Sequence, residues 1–219
     1  MKIGIIGSGF IGGTLVRRWA ALGHEVRFSN SRDPETLADL AAETGATAVW
    51  AADAAQDADL VLLSIPQKNV PDLAPGIVSA RKPGAPIIET NNYYPQQRDG
   101  LIEDIEGGTP ESVWVSQQLG EPVIKAFNGI WYKHLLEKGV PTGTRGRIAL
   151  PIAGDDDDSK KLVFSVIDEL GFDPVDGGTL AQSWRQQPGT PSYGKDFGVD
   201  ALVEALGQAT DQRSAEWKA

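Results

Sequence analysis

The stretch Lys2-Ile3-Gly4-Ile5-Ile6-Gly7-Ser8-Gly9-Phe10-Ile11-Gly12 decides the fold of this 219-residue chain. An apolar run that ends in Gly-x-Gly-x-x-Gly reads as a strand, a tight turn and the start of a helix. Behind it Ile11, Leu15, Trp19 and Leu22 recur at helical spacing, and Gly23 stands where a helix would end. Each glycine has its own task. Gly7 allows the tight turn, Gly9 lets backbone approach a pyrophosphate, and Gly12 permits close packing of helix on strand. A pyrophosphate placed over Ser8, Gly9, Phe10 and Ile11 would rest on backbone N–H groups at the positive end of the helix dipole. The alternative is a plain glycine turn with no ligand.

Outward from this motif, short apolar runs at 25–29, 47–50, 60–65, 86–90 and 123–127 alternate with helical patterns. That rhythm predicts an α/β fold of the Rossmann-like, doubly wound type, with a mainly parallel sheet covered on both faces. After Asn128 the rhythm changes. Residues 131–138 read as helix, 139–147 as a Gly/Pro/Thr-rich loop and 148–153 as a strand. Two further apolar helix faces follow, Leu162-Val163-Val166-Ile167-Leu170 and Val199-Leu202-Val203-Leu206. The expected organisation is a dinucleotide-binding domain at 1–130 and a small C-terminal α+β or helical domain at 131–219 packed on it. The tail 211–219 has little periodicity and reads as frayed unless Trp217 docks it.

The second strand bears on which dinucleotide is bound. An NAD site usually offers an acidic residue to the ribose roughly 20 residues past the glycines. Here the chain reads Phe28-Ser29-Asn30-Ser31-Arg32, with no carboxylate before Asp33. Asn30, Ser31 and Arg32 favour NADP, since Ser31 and Arg32 can donate to a 2′-phosphate and a guanidinium fork matches it. The alternative is that Ser31 caps the helix beginning near Pro34 and Arg32 is merely solvated. Ser64, Ile65 and Pro66 close the central strand at the end where ligands sit in open α/β sheets, and are expected to wall the nicotinamide. Asn91 and Asn128 follow two later strands; they read either as carboxamide or acceptor contacts or as loop-closing turns.

Other features read as structural. Asp155 to Asp158 open a helix and are expected to serve its N-terminus, not a metal. His24 is expected to be exposed in a turn, and His134 to lie on a helix without a carboxylate partner, so neither reads as a base or ligand. No catalytic residue stands out. The loop 185–195 reads equally as a lid or a connector.

Composition narrows the function classes. Hydrophobic residues at 41% and charged residues at 23% are those of an ordinary globular domain. The absence of cysteine excludes thiol nucleophiles and Cys-ligated metals. A net charge of −10 is the wrong sign for nucleic acid or anionic lipid, so an anion must be held by a local pocket. No run reaches the roughly 20 apolar residues of a membrane helix. A cytoplasmic protein with small-molecule partners is expected.

The glycine turn, Ala21-Leu22-Gly23-His24-Glu25-Val26, Ser31-Arg32, Leu63-Ser64-Ile65-Pro66 and Gly154-Asp155-Asp156-Asp157-Asp158-Ser159-Lys160-Lys161 together resemble the NADP oxidoreductases dependent on coenzyme F-420, a deazaflavin. These share their fold with the reductase domain of the STEAP metalloreductases. The resemblance implies a Rossmann domain with a small C-terminal domain, often dimeric, holding NADP and a second redox partner in one cleft. By that likeness Ser8, Gly9, Phe10 and Ile11 line the pyrophosphate, and Ser31 with Arg32 the 2′-phosphate. It also implies direct hydride transfer, which needs no side-chain acid. The acceptor stays open between coenzyme F-420 and a flavin. Competing readings are a reductase of small carbonyls or imines, with Tyr94, Tyr132 or Tyr193 as proton donor, and an NADP-sensing module without catalysis.

Overall fold

The computed structural model describes Met1–Ala219. Strands β1 (Lys2–Ile6), β2 (Glu25–Ser29), β3 (Thr47–Ala48), β4 (Leu60–Leu63), β5 (Ile87–Glu89) and β6 (Ile124–Lys125) form one sheet in the order β3-β2-β1-β4-β5-β6, every pair parallel. Helices α1 (Phe10–Ala21), α2 (Ala38–Thr44), α3 (Ala51–Ala54), α4 (Glu103–Glu106), α5 (Glu111–Leu119) and α6 (Tyr132–Glu137) accompany it. Strands β7 (Ala149–Ile152) and β8 (Asp173–Asp176) make a second parallel pair joined by α7 (Asp157–Glu169), and α8 (Val199–Gln208) follows. The fold is the Rossmann-like α/β arrangement expected. Its strand order reverses between β1 and β4, the place where such sheets open a crevice at their carboxyl ends.

The pleat sorts the core. Ile3 and Ile5 pair in register with Val26 and Phe28 on one side and Leu60 and Leu62 on the other. They face Leu15, Val16 and Trp19 of α1. The alternate residues Ile6, Val61, Leu63 and Ile87 face the opposite layer with Trp114 and Val115 of α5. Leu150, Ile152, Val163, Ile167 and Phe172 join the first of these clusters, so the C-terminal elements share the core of the main sheet. Arg18 adds a polar tie, donating to the carbonyls of Leu136 at 2.8 Å and Leu170 at 2.6 Å, where α6 and α7 end.

Several elements differ from expectation. β3 and β6 are two-residue strands, shorter than the apolar runs 47–50 and 123–127 that contain them. β8 lacks a strand signature: in Asp173-Pro174-Val175-Asp176 only Val175 is buried. The tail is not free, since the Trp217 ring lies 6.0 Å from that of Tyr94 and 6.2 Å from that of Tyr193. Both histidines correct the expectation. His24 Nε2 lies 2.9 Å from Glu169 and His134 Nδ1 2.8 Å from Asp196. Their partners stand 145 and 62 residues away, beyond what local reading reaches. Asp156 caps α7 by accepting from Ser159 N at 2.7 Å, as its position suggests. No helix is long and apolar enough to cross a membrane, and no cluster of three His, Asp or Glu could hold a metal ion.

Candidate functional site

The glycine turn sits at the carboxyl end of β1. Gly7 has φ +99°, and a Cβ there would stand 2.2 Å from the carbonyl oxygen of Ser64. A Cβ on Gly12 would stand 1.9 Å from the carbonyl oxygen of Gly7. The fold therefore requires both residues. Gly9 differs: a Cβ there meets nothing within 4 Å, so no neighbour in the chain calls for its small size. It borders a cleft of about 420 Å³ lined also by Gly7, Asn30, Ser31, Ser64, Ile65 and Pro66. Gly9 is the N-cap of α1 without a side-chain cap, and the first turn carries no acid. The arrangement presents uncapped N–H groups and the positive end of a helix to open space, and can hold an anion.

At the end of β2, Asn30 is engaged on both sides. It accepts from Arg32 N at 2.8 Å and donates to Thr36 Oγ1 at 3.0 Å. The cap of the following helical turn is Asp33, which accepts from Glu35 N at 2.9 Å. Ser31 is therefore not needed as a cap. Its hydroxyl and the Arg32 guanidinium have no partner in the chain, and both residues are exposed.

At the ends of β4 and β5, Thr90 Oγ1 donates to Ser64 Oγ at 2.9 Å, and Ile65 N donates to Asn91 Oδ1 at 3.3 Å. Asn91 is buried, and its amide nitrogen has no partner. Behind it lies a fully buried ion pair, Lys125 Nζ to Glu89 Oε1 at 3.1 Å, linking the ends of β5 and β6. Glu89 also accepts from Asn91 N at 2.9 Å and from Ser112 Oγ, and Lys125 donates to the Asn91 carbonyl. The next buried acid, Glu111, takes Tyr93 N at 3.1 Å and Arg213 Nη1 at 2.6 Å. Burial pushes the Glu111 carboxyl up, against the pull of Lys125 and Arg213.

A second cleft, of about 320 Å³, begins on the other side of the glycine turn. Phe10, Asn92, Tyr94, Trp131, Tyr132 and Tyr193 are on its walls, with Ile11 and Asn128. Phe10 stacks on Tyr132 with ring centroids 4.6 Å apart. Phe127, buried in the core edge-on to Trp19, has φ +61°, a conformation a bulky residue holds only when its surroundings enforce it. Asn128 Nδ2 donates to Asn92 Oδ1 at 3.1 Å and to the Gln186 carbonyl at 2.6 Å, while its Oδ1 accepts from Gln186 Nε2 at 3.0 Å. Its amide is thus engaged within the protein. The hydroxyls of Tyr94 and Tyr193 hydrogen-bond one another. Burial, then the neighbouring Tyr94, pushes the Tyr193 phenol well above the usual tyrosine range.

The residues expected at the site fall into two groups. Gly7, Gly9, Asn30, Ser31, Ser64, Ile65 and Pro66 border the first cleft; Phe10, Ile11 and Asn128 border the second. Gly12 lies beneath the turn and Asn91 behind the wall, while Ser8 and Arg32 border neither cleft. Sequence reading missed the Glu89–Lys125 pair and Glu111. The available signal was a charged residue inside each of two apolar runs, 86–90 and 123–127.

Residues 2–93 match the family described as NADP oxidoreductase, coenzyme F-420-dependent. The hypothetical protein SMa0349 from Sinorhizobium meliloti is 30% identical; its solved structure covers 91% of this chain and 96% of its own, with a TM-score of 0.75. A structure from Arthrobacter sp., provisionally described as an F-420-dependent NADP reductase, is 21% identical over 84% of this chain and 87% of its own, and with a TM-score of 0.66 it shares the fold. The Escherichia coli protein YjhV is 42% identical over 67 residues, 31% of this chain and 49% of that protein, so the match spans about half the length of this curated relative.

Proposed function

The chain belongs to the family of NADP oxidoreductases dependent on coenzyme F-420, and from that premise we propose that it passes hydride between NADP(H) and a deazaflavin- or flavin-like acceptor. That it is a Rossmann-type, NAD(P)-dependent oxidoreductase follows from the family. The finer reading assigns the two clefts to the two partners. Residues 1–130 hold the dinucleotide, and 131–219 contribute the far wall of the acceptor cleft.

The observation that carries the reading is Gly9, whose missing Cβ leaves open space in front of an uncapped, acid-free helix start. The N–H groups of Phe10 and Ile11 would hold the pyrophosphate. Ser31 and Arg32, without partners in the chain, would take the 2′-phosphate. Ser64, Ile65 and Pro66 would wall the nicotinamide, with the buried Asn91 behind them accepting from Ile65 N and so positioning that wall. When bound, NADPH supplies the hydride. The protein's part is to orient the two rings and keep water out. Burial raises the Tyr193 phenol and makes it a weaker proton donor, so reduction of a simple carbonyl or imine would draw its proton from Tyr94 or Tyr132 instead.

A homodimer in the cytoplasm is part of the same reading. The test is NADPH and NADH binding followed by optical assay of NADPH oxidation with 5-deazariboflavin, FMN, FAD and small carbonyls. Preferred NADPH binding with turnover of a deazaflavin or flavin is expected. Equal affinity for NADH would overturn the coenzyme assignment; turnover of carbonyls alone would overturn the acceptor assignment. NADPH binding without turnover of any acceptor would favour a sensing module.

A further inference from the structure

We infer that the Tyr94–Tyr193 hydroxyl pair is the group that recognises the acceptor, donating a hydrogen bond to a carbonyl oxygen or ring nitrogen on the edge of its ring. The inference rests on the second cleft being the acceptor site.

The protons of the pair do not balance within the chain. Two phenols own two O–H donors, and the bond between them uses one. The Tyr193 oxygen also accepts from Asn92 Nδ2 at 3.3 Å, which brings a further hydrogen to the pair and removes none. No other acceptor in the chain takes a hydrogen bond from either hydroxyl. Whichever tyrosine donates to the other, one O–H is left over on two rings that both line the cleft.

The surroundings hold the pair in place. Trp217 packs against both rings, and the Arg98 guanidinium lies 5.0 Å from the centroid of Tyr94. Asn92 is in turn fixed by Asn128, donating to its carbonyl at 3.0 Å. Arg98 is engaged with Asp99 at 2.8 Å, so this end of the cleft offers a neutral donor and no free cation of its own. A neutral donor suits a carbonyl or a ring nitrogen better than a carboxylate or phosphate.

The opposite wall sets the shape of the ligand. Phe10 and Trp131 are 75% and 52% exposed, and Tyr132 lies stacked on Phe10 with Trp131 edge-on at 5.8 Å. Exposed aromatic surface of this extent, rimming a cleft that ends in a polar pair, suits a planar ring that covers it.

The test uses the full chain loaded with NADP⁺ and riboflavin or 5-deazariboflavin as probe, followed by fluorescence titration. Each single change, Tyr94→Phe or Tyr193→Phe, leaves one hydroxyl to serve the ligand and is expected to weaken binding less than about threefold. The double change removes the donor and should weaken binding about tenfold, more than the product of the singles, with NADPH affinity unchanged. A double variant that binds the ring as wild type does would overturn the inference. So would a wild type that binds NADPH but neither ring. Absence of NADPH binding would instead overturn the coenzyme reading. Should the double variant fail to fold, the carbonyl stretch of bound riboflavin in the unmutated protein is read by Raman difference. A band lowered relative to aprotic solvent is expected, and an unshifted band would overturn the assignment.

Discussion

Arg213 reaches back 102 residues to place Nη1 2.6 Å from Oε1 of the buried Glu111. The same guanidinium donates to the Trp217 carbonyl at 2.7 Å and lies 4.9 Å from the centroid of Tyr93. One side chain thereby pins the C-terminal segment, and with it Trp217 behind the tyrosine pair, to a carboxylate that has lost its water.

Removing that pin should cost stability in a pH-dependent way. In Arg213→Ala the buried Glu111 loses a cation, a change worth about 3–5 kcal/mol for a buried pair. Burial already raises the Glu111 pKa above its ordinary 4.5. A raised carboxyl binds its proton more tightly in the folded state, so stability falls as pH rises from the ordinary value through the folded one. The deficit in melting temperature should therefore be full at alkaline pH and shrink as the pH is lowered toward 4.5. A deficit independent of pH would show that Glu111 is not the group responsible.

Arg32→Ala is expected to weaken NADPH binding about 10- to 100-fold, the range for loss of a charge-assisted hydrogen bond, and to leave NADH binding unchanged. Isothermal titration with both coenzymes reads the difference. Equal losses for the two would place Arg32 elsewhere than at the 2′-phosphate.

Gly9→Ala and Gly12→Ala should part company. The new methyl at 9 meets nothing in the chain and the backbone there has φ −71°, so melting should stay within about 1 kcal/mol of wild type while dinucleotide affinity falls at least about tenfold. The methyl at 12 would collide with the Gly7 carbonyl, and the variant should be strongly destabilised. Circular dichroism melts with NADPH titration separate the two effects.

Glu89→Gln or Lys125→Met alone leaves a buried charge without its partner and should cost about 3–5 kcal/mol. The double variant should recover a large part of that loss. Chemical denaturation of the three variants measures the coupling; strictly additive losses would mean that the two charges do not depend on one another.

The strand, turn and helix of residues 2–21 were legible because neighbours in sequence make them: the apolar run, the glycine spacing and the helical spacing all act within one turn or strand. The same holds for the Asp156 cap and for the central strands, whose residues are apolar on both faces. β8 was not legible, because Asp173 and Pro174 carry no strand preference and the segment is held by pairing with β7. The partners of His24 and His134 escaped for a similar reason, as each lies on a different element.

Within the site the division is sharper. Gly7 and Gly12 mark a tight strand-to-helix turn by spacing alone, since the steric demand on them is local. That Asp33, and not Ser31, caps the next helical turn could be decided only by the path of the chain after β2. The pairing of Tyr94 with Tyr193, the stacking of Phe10 on Tyr132 and the burial of Glu89, Lys125 and Glu111 exist because α6, the 185–195 loop and the tail fold back over the sheet edge. Hydroxyl against hydroxyl and charge against charge are relations of distance, and distance between residues so far apart in the chain is created by packing of the core beneath them.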